Sequence, residues 1–208
     1  MVSHYWFVSR PASSTRPDEI LNAALTIFDQ VGFDAARVDD IAAAAGCSKG
    51  GLYLHFKSKT AILEALIARD IAPIATATAA LAQEGRADPL GTLRLILGAL
   101  PVRLNDPRLF AIPRLVIAAS SRFPDIAEHY RREVFGRVQA ALTALVADAM
   151  ARGQLRAADP AVVCRALMGS VFVEAMRRHV FRDPDASPEV SATQLEALLC
   201  LFTPDIAQ

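Results

Sequence analysis

Apolar positions recur along this chain with the 3.6-residue period of amphipathic helices. Leu21, Ala24, Leu25, Phe28 and Val31 fall at i, i+3, i+4, i+7 spacing and predict a first helix. Pro17 suits its first position, Asp18 and Glu19 suit the positive end of its dipole, and Gly32 suits its exit. Val38, Ile41, Ala42 and Ala45 predict a short second helix that ends at Gly46, with Asp39 and Asp40 in its first turn. Ser48 is placed to cap a third helix carrying Leu52, Tyr53 and Phe56. Ser58 is placed to cap a fourth, carrying Ile62, Leu63, Leu66 and Ile67.

Breakers divide the rest. Gly85 to Pro89 predicts a loop, followed by a helix to about Leu104. Asn105-Asp106-Pro107 opens another that ends near Phe123-Pro124. A long helix follows through Ile126, Tyr130, Val134, Val138, Leu142, Leu145 and Ala149, closed by Gly153. Asp159-Pro160 opens a helix to about Phe181. Pro188 opens the last, with Leu195, Leu198, Leu199 and Phe202 on one face. No stretch predicts a strand, so the fold class is all-α. Residues 1–15 lack periodicity and read as a flexible arm, with an aromatic cluster at Tyr5, Trp6 and Phe7 that either docks on the body or reflects an early start codon.

Composition changes this picture little. Formal net charge is zero, which on its own does not favour nucleic acid, although a global sum can hide a local positive patch. Cys47, Cys164 and Cys200 are an odd, scattered set. They form neither a disulfide framework nor a zinc motif, so no metal and no cofactor is expected, and the compartment reads as reducing and cytoplasmic. No signal peptide is legible, and no uninterrupted apolar stretch approaches the ~18 residues of a membrane span.

The segment Gly46-Cys47-Ser48-Lys49-Gly50-Gly51-Leu52-Tyr53-Leu54-His55-Phe56-Lys57-Ser58-Lys59 holds three lysines, a histidine and no acid. Two short helices joined by a glycine turn, the second small and basic, are the pattern of a helix-turn-helix. Ala42, Leu52 and Phe56 would anchor the second helix. Gly50 and Gly51 cost about 1 kcal/mol each in helix propensity but let a backbone approach bases or phosphates. Tyr53, His55, Lys57 and Lys59 offer donors to phosphate oxygens, and Lys49 could reach a base edge or a phosphate. Arg10 and Arg16 precede the first helix, where they either reach a minor groove or contact nothing. Cys47 reads as a small apolar filler in the turn.

Over residues 16–68 the sequence resembles the TetR family of transcriptional regulators. The resemblance rests on Ile20 to Phe28 with Gly32-Phe33, on Val38-Asp39-Asp40-Ile41-Ala42, and on the run from Gly46 through Lys59. Further on it rests on helix count and on Arg152-Gly153-Gln154-Leu155-Arg156 ahead of Asp159-Pro160. It implies a homodimeric regulator, usually a repressor, that binds a double-stranded DNA operator and is released by a small-molecule effector. It implies that Ser48, Lys49, Gly50 and Gly51 face bases, and that Tyr53, His55 and Lys57 or Lys59 touch phosphates. Position 51 is glycine where the family often has threonine. Position 37 is arginine where a capping hydroxyl is common, and Arg37 would grip a phosphate instead. The domain boundaries expected are 1–15 for the arm, 16–62 for the three-helix DNA-binding domain and 63–208 for a helical ligand-binding and dimerisation domain.

The helix from 160 to 181 is apolar on nearly every side, so a partner subunit is expected to cover it, together with the last helix, in a four-helix seam. Glu174 in its midst needs a partner. Phe110, Arg114, Met168, Phe172 and Met176 are the candidate walls of an effector pocket, each also readable as core. Pro73, Pro101 and Pro113 could bend their helices, and Arg103, Arg114 and Arg177 could accommodate an anion. Two alternatives stand beside the regulator. One is a partner-binding module without operator contacts. The other is an enzyme using Glu128 and His129 as an acid–base pair.

Overall fold

The structure, a computed structural model, describes residues 16–186 and 188–204, without the side chains of 188–192. The arm expected over residues 1–15, with its aromatic cluster and Arg10, lies outside the described residues. Every regular element among the described residues is helical: α1 (Arg16–Ala35), α2 (Val38–Ala44), α3 (Lys49–His55), α4 (Lys59–Leu66), α5 (Ala72–Glu84), α6 (Pro89–Leu104), α7 (Pro107–Ala119), α8 (Pro124–Tyr130), α9 (Gly136–Ala151), α10 (Pro160–His179) and α11 (Pro188–Phe202). The all-α class expected from the periodicity is therefore the class observed. Two π-helical turns, Ile67–Ile71 and Arg131–Phe135, interrupt runs that the periodicity carries through as single helices.

The chain packs as two compact units. One gathers the described residues up to Pro73 with Ala111–Arg131, and the other gathers Ile74–Phe110 with the described residues from Arg132 onward. Packing thus carries residues 63–73 and 111–131 into the first unit, beyond the boundary expected at residue 62. Leu63, Leu66 and Ile67 are fully buried there, and α4 packs on α8.

In the first unit, α1 packs on α2 and α4, and α2 on α3. Ile20, Leu21, Ala24 and Phe28 form the buried stripe of α1. Val31, expected on that stripe, is exposed. Gly32 takes φ +82°, a conformation costly for residues with a Cβ, and this kink turns the chain so that Phe33 becomes the next core residue. Phe33 packs on Phe28 at 5.2 Å and edge-on to Phe123 at 5.1 Å, between ring centroids.

In the second unit, α10 packs on α9, α11 and α6, and α6 on α9 and α11. Their shared core includes Leu93, Leu97, Leu145, Val163, Leu167 and Leu199. Within each of the helical runs Lys59–Ala87 and Pro124–Ala151, an 18-residue stretch reaches the mean hydropathy of a membrane span, 1.4 and 1.3, by length and composition only. Alanine supplies much of that value, and charged residues interrupt both runs.

Candidate nucleic-acid interface

The connection from α2 to α3 is built by local chemistry. Gly46 sits at φ +64°, and the Cys47 N–H donates to Ala42 O at 2.9 Å, closing the end of α2. Ser48 Oγ accepts from the Gly51 N–H at 3.0 Å, so the expected cap is present and worth about 1 kcal/mol. Leu52 is fully buried and anchors the helix. With Leu52 inward, the helical period puts Gly50 and Leu54 at the centre of the outward face. Lys49 and Tyr53 then lie on one flank, and Gly51 and His55 on the other. Ser48, Lys49, Gly50, Tyr53, His55 and Lys57 are exposed, whereas Gly51, Phe56 and Lys59 are half-buried. Tyr53, readable as either core or contact, is 43% exposed and belongs to the surface.

The two helical glycines differ in what their own unit asks of them. A Cβ at Gly50 would meet only Ser48 Oγ at 4.0 Å. A Cβ at Gly51 would press on the same oxygen at 3.3 Å, and that oxygen is the one that accepts from the Gly51 N–H in the cap. The space above Gly50 is open among the described residues, so its own unit would admit a side chain there.

The cations divide into two groups. Arg37 is exposed at the start of α2 and makes no side-chain cap, and Lys57 is exposed. Lys49 pairs with Asp39 of α2 at 3.0 Å, both about half exposed; such pairs are weak and exchange readily for another anion. Lys59 turns inward. Its Nζ donates to the carbonyls of Asp34 and Ala36, at 2.8 and 3.0 Å, and lies 4.8 Å from the Phe33 ring centroid. Burial pushes its pKa down, against the opposing pull of Asp34 and with a smaller push from Arg122. Arg16, expected ahead of the first helix, begins it; it bonds Glu19 at 2.9 Å and the Ala45 carbonyl at 3.3 Å.

Among the candidate effector contacts, Phe110, Met168, Phe172 and Met176 belong to the second unit. Arg114 belongs to the first, where it is paired with Asp29. Phe110 is buried with its ring 5.9 Å from Phe172 and stacked on His179 at 5.0 Å. His179 Nε2 is 2.7 Å from the Leu104 carbonyl oxygen. The sequence reading missed His179, which sits seven residues after Phe172 and so on the same helix face. The depression lined by Pro101, Leu104, Val171, Ala175 and Arg178 is shallow and leaves no room for even a water molecule, so it is not a preformed ligand cavity. Glu174 is 2% exposed and finds its partner one turn away: Arg177 donates to it at 2.9 Å and to Asp183 at 2.7 Å. Glu128 is engaged by Arg131 through two bonds, at 2.6 and 2.7 Å, beside His129.

Two family descriptions match this chain. "Bacterial regulatory proteins, tetR family" matches residues 20–66, and "AefR-like transcriptional repressor, C-terminal domain" matches residues 92–202. The HTH-type transcriptional repressor KstR2 of Mycolicibacterium smegmatis is 48% identical over 59 residues, which is 28% of each chain. That match spans little more than a quarter of the relative's length. The structure of SmeT, the repressor of the Stenotrophomonas maltophilia multidrug efflux pump SmeDEF, is 26% identical. It covers 93% of both chains with a TM-score of 0.73. A SmeT–triclosan complex covers 93% of this chain and 94% of its own, at 23% identity and a TM-score of 0.76.

Proposed function

The chain belongs to the TetR family of bacterial regulatory proteins, and we propose that it is a ligand-responsive transcriptional repressor that binds a pseudo-palindromic DNA operator as a homodimer. One observation carries the reading: the outward face of α3 is capped, acid-free and cleared of side chain at Gly50, in a way its own unit does not need. Such a face suits a helix laid in a major groove. Ser48, Lys49, Gly50 and Gly51 approach base edges, Lys49 exchanging Asp39 for a DNA acceptor. Tyr53, His55, Lys57 and Arg37 contact phosphates, while Lys59 holds the end of α1 and supports the interface from behind.

The dimer forms through α10 and α11. Val162, Ala166, Gly169 and Val173 make an exposed stripe of apolar and small residues along α10, and Cys200 and Leu201 are exposed on α11. A side chain at Gly169 would meet nothing within 4 Å in the protomer. Gly169→Glu therefore leaves the protomer folded and shifts sedimentation from dimer to monomer. Two recognition helices must match half-sites about 34 Å apart, or a multiple, so any change in their separation lowers affinity. An aromatic or apolar effector held by Phe110, Met168, Phe172, Met176 and His179 favours a separation unsuited to the operator. Its differential affinity for the two states bounds the effect. The triclosan complex of SmeT is the support for a small organic effector.

The test is selection of bound duplexes from a random pool by the full chain. The selected duplex is then titrated by fluorescence anisotropy across a salt series, with Tyr53→Ala as control. Sequence-dependent binding that weakens with salt and is lost in the variant is the expected result. Sequence-blind or absent binding moves the protein to the partner-binding alternative.

A further inference from the structure

Leu54 is 86% exposed, more than any other large apolar side chain among the described residues. It stands between Tyr53 and His55, one helical turn after Gly50, at the centre of the outward face of α3. Its own unit gives it nothing to pack on. It is also no part of an apolar patch, because the residues around it on this face are Gly50, Tyr53, His55 and Lys57. Self-association or docking of an apolar protein segment needs a contiguous patch, not a single leucine ringed by polar donors.

In a major groove the base edges are hydrogen-bond donors and acceptors with one exception, the C5-methyl group of thymine. A leucine placed against an adenine, guanine or cytosine edge would desolvate polar groups without pairing them, which is unfavourable. Placed against thymine, it buries methyl on methyl. The donors on its two flanks meanwhile remain free for phosphates and neighbouring edges. Resting on the operator-binding reading above, we propose that Leu54 reads a thymine methyl in each operator half-site, and that Gly50 clears the space that brings it within reach.

The experiment uses the full chain and the duplex obtained by selection. Each thymine in turn is replaced by deoxyuridine, which removes the methyl and keeps every hydrogen-bonding group. Wild type should lose affinity about fourfold at one position per half-site, the equivalent of one buried methyl group. Leu54→Ala should bind more weakly overall and show no change on that replacement. Leu54→Met, which keeps apolar reach, should keep the sensitivity. Both variants change an exposed side chain and should melt with the wild type. A duplex with no methyl-sensitive thymine, or one whose sensitivity survives in Leu54→Ala, overturns the assignment while leaving operator binding intact. Failure to select any sequence overturns the operator reading itself, and this assignment with it.

Discussion

Helices α3 and α10 each break the rule that apolar residues go inside and charges outside, and they break it in opposite directions. α3 displays Leu54 and leaves Gly50 bare, and nothing in its own unit accounts for either. α10 buries Glu174, and its unit answers most of that: Arg177 donates to Oε2 and is itself shared with Asp183, leaving Oε1 alone without a partner among the described residues. An irregularity resolved internally is architecture. An irregularity left open points to something the chain meets. The same contrast separates residues that look alike in sequence: Gly32 from Gly50, and Lys59 from Lys57.

The largest effect tests the internal side. Arg177→Met removes the only charge-assisted donor to Glu174 seen among the described residues, and stranding that buried carboxylate should lower stability more than any change below. Glu174→Gln should cost much less, because Arg177 keeps Asp183. Denaturant unfolding of both variants measures the asymmetry, and equal losses would break the assignment of Arg177 as the neutralising group. Next come the glycines. Gly32→Ala forces a Cβ into φ +82° and should destabilise by about 1–2 kcal/mol. Gly50→Ala should stabilise the fold by up to about 1 kcal/mol and yet weaken DNA binding, seen by pairing thermal melts with operator titrations. Gains in both stability and affinity would remove the case for an occupant above Gly50.

The lysines follow. Lys57→Ala should leave the melting temperature alone and reduce the salt slope of operator binding by about 1 per protomer. Lys59→Ala should lower the melting temperature through the lost bonds to Asp34 and Ala36. The smallest effect is in acid. A side-chain bond from Arg86 holds the Asp148 carboxyl below its ordinary value of 3.8. Its folded pKa is depressed, so its contribution is present above that value and lost as pH falls below it. In melts from pH 5 to pH 2, the difference between wild type and Asp148→Asn should shrink towards zero at the acid end.

Much of the first unit was legible because its signals are local. Ser48 and Ser58 act at three-residue range, and Gly46 closes a turn with its own neighbours. What escaped depends on distant partners or on backbone geometry. Lys59 reads as another exposed cation until the end of α1 arrives beside it. Val31 keeps the helical period but lies just before the Gly32 kink. The π-helical turns leave the apolar period readable through them. Arg114 pairs with Asp29, 85 positions away, a contact that no local spacing announces. In the second unit the difficulty is chemical. Phe110, Met168 and Phe172 look the same in sequence whether they fill a core or line a pocket, and only the stacking of His179 on Phe110 distinguishes that corner. Leu54 was passed over because a single leucine in a short amphipathic helix is assigned inward by default.

The length of α3 limits how much information the protein can carry. Seven residues at 1.5 Å rise span about 10 Å, the axial length of roughly three base pairs. A dimer reading three pairs in each half-site selects one sequence in about 4,000, so among ~10⁶ competing sites it would find on the order of 250 chance matches. In the proposed dimer the two recognition helices would therefore supply a short word written twice. Unique address must come from the interval between the two copies and from the bendability of the unread pairs between them.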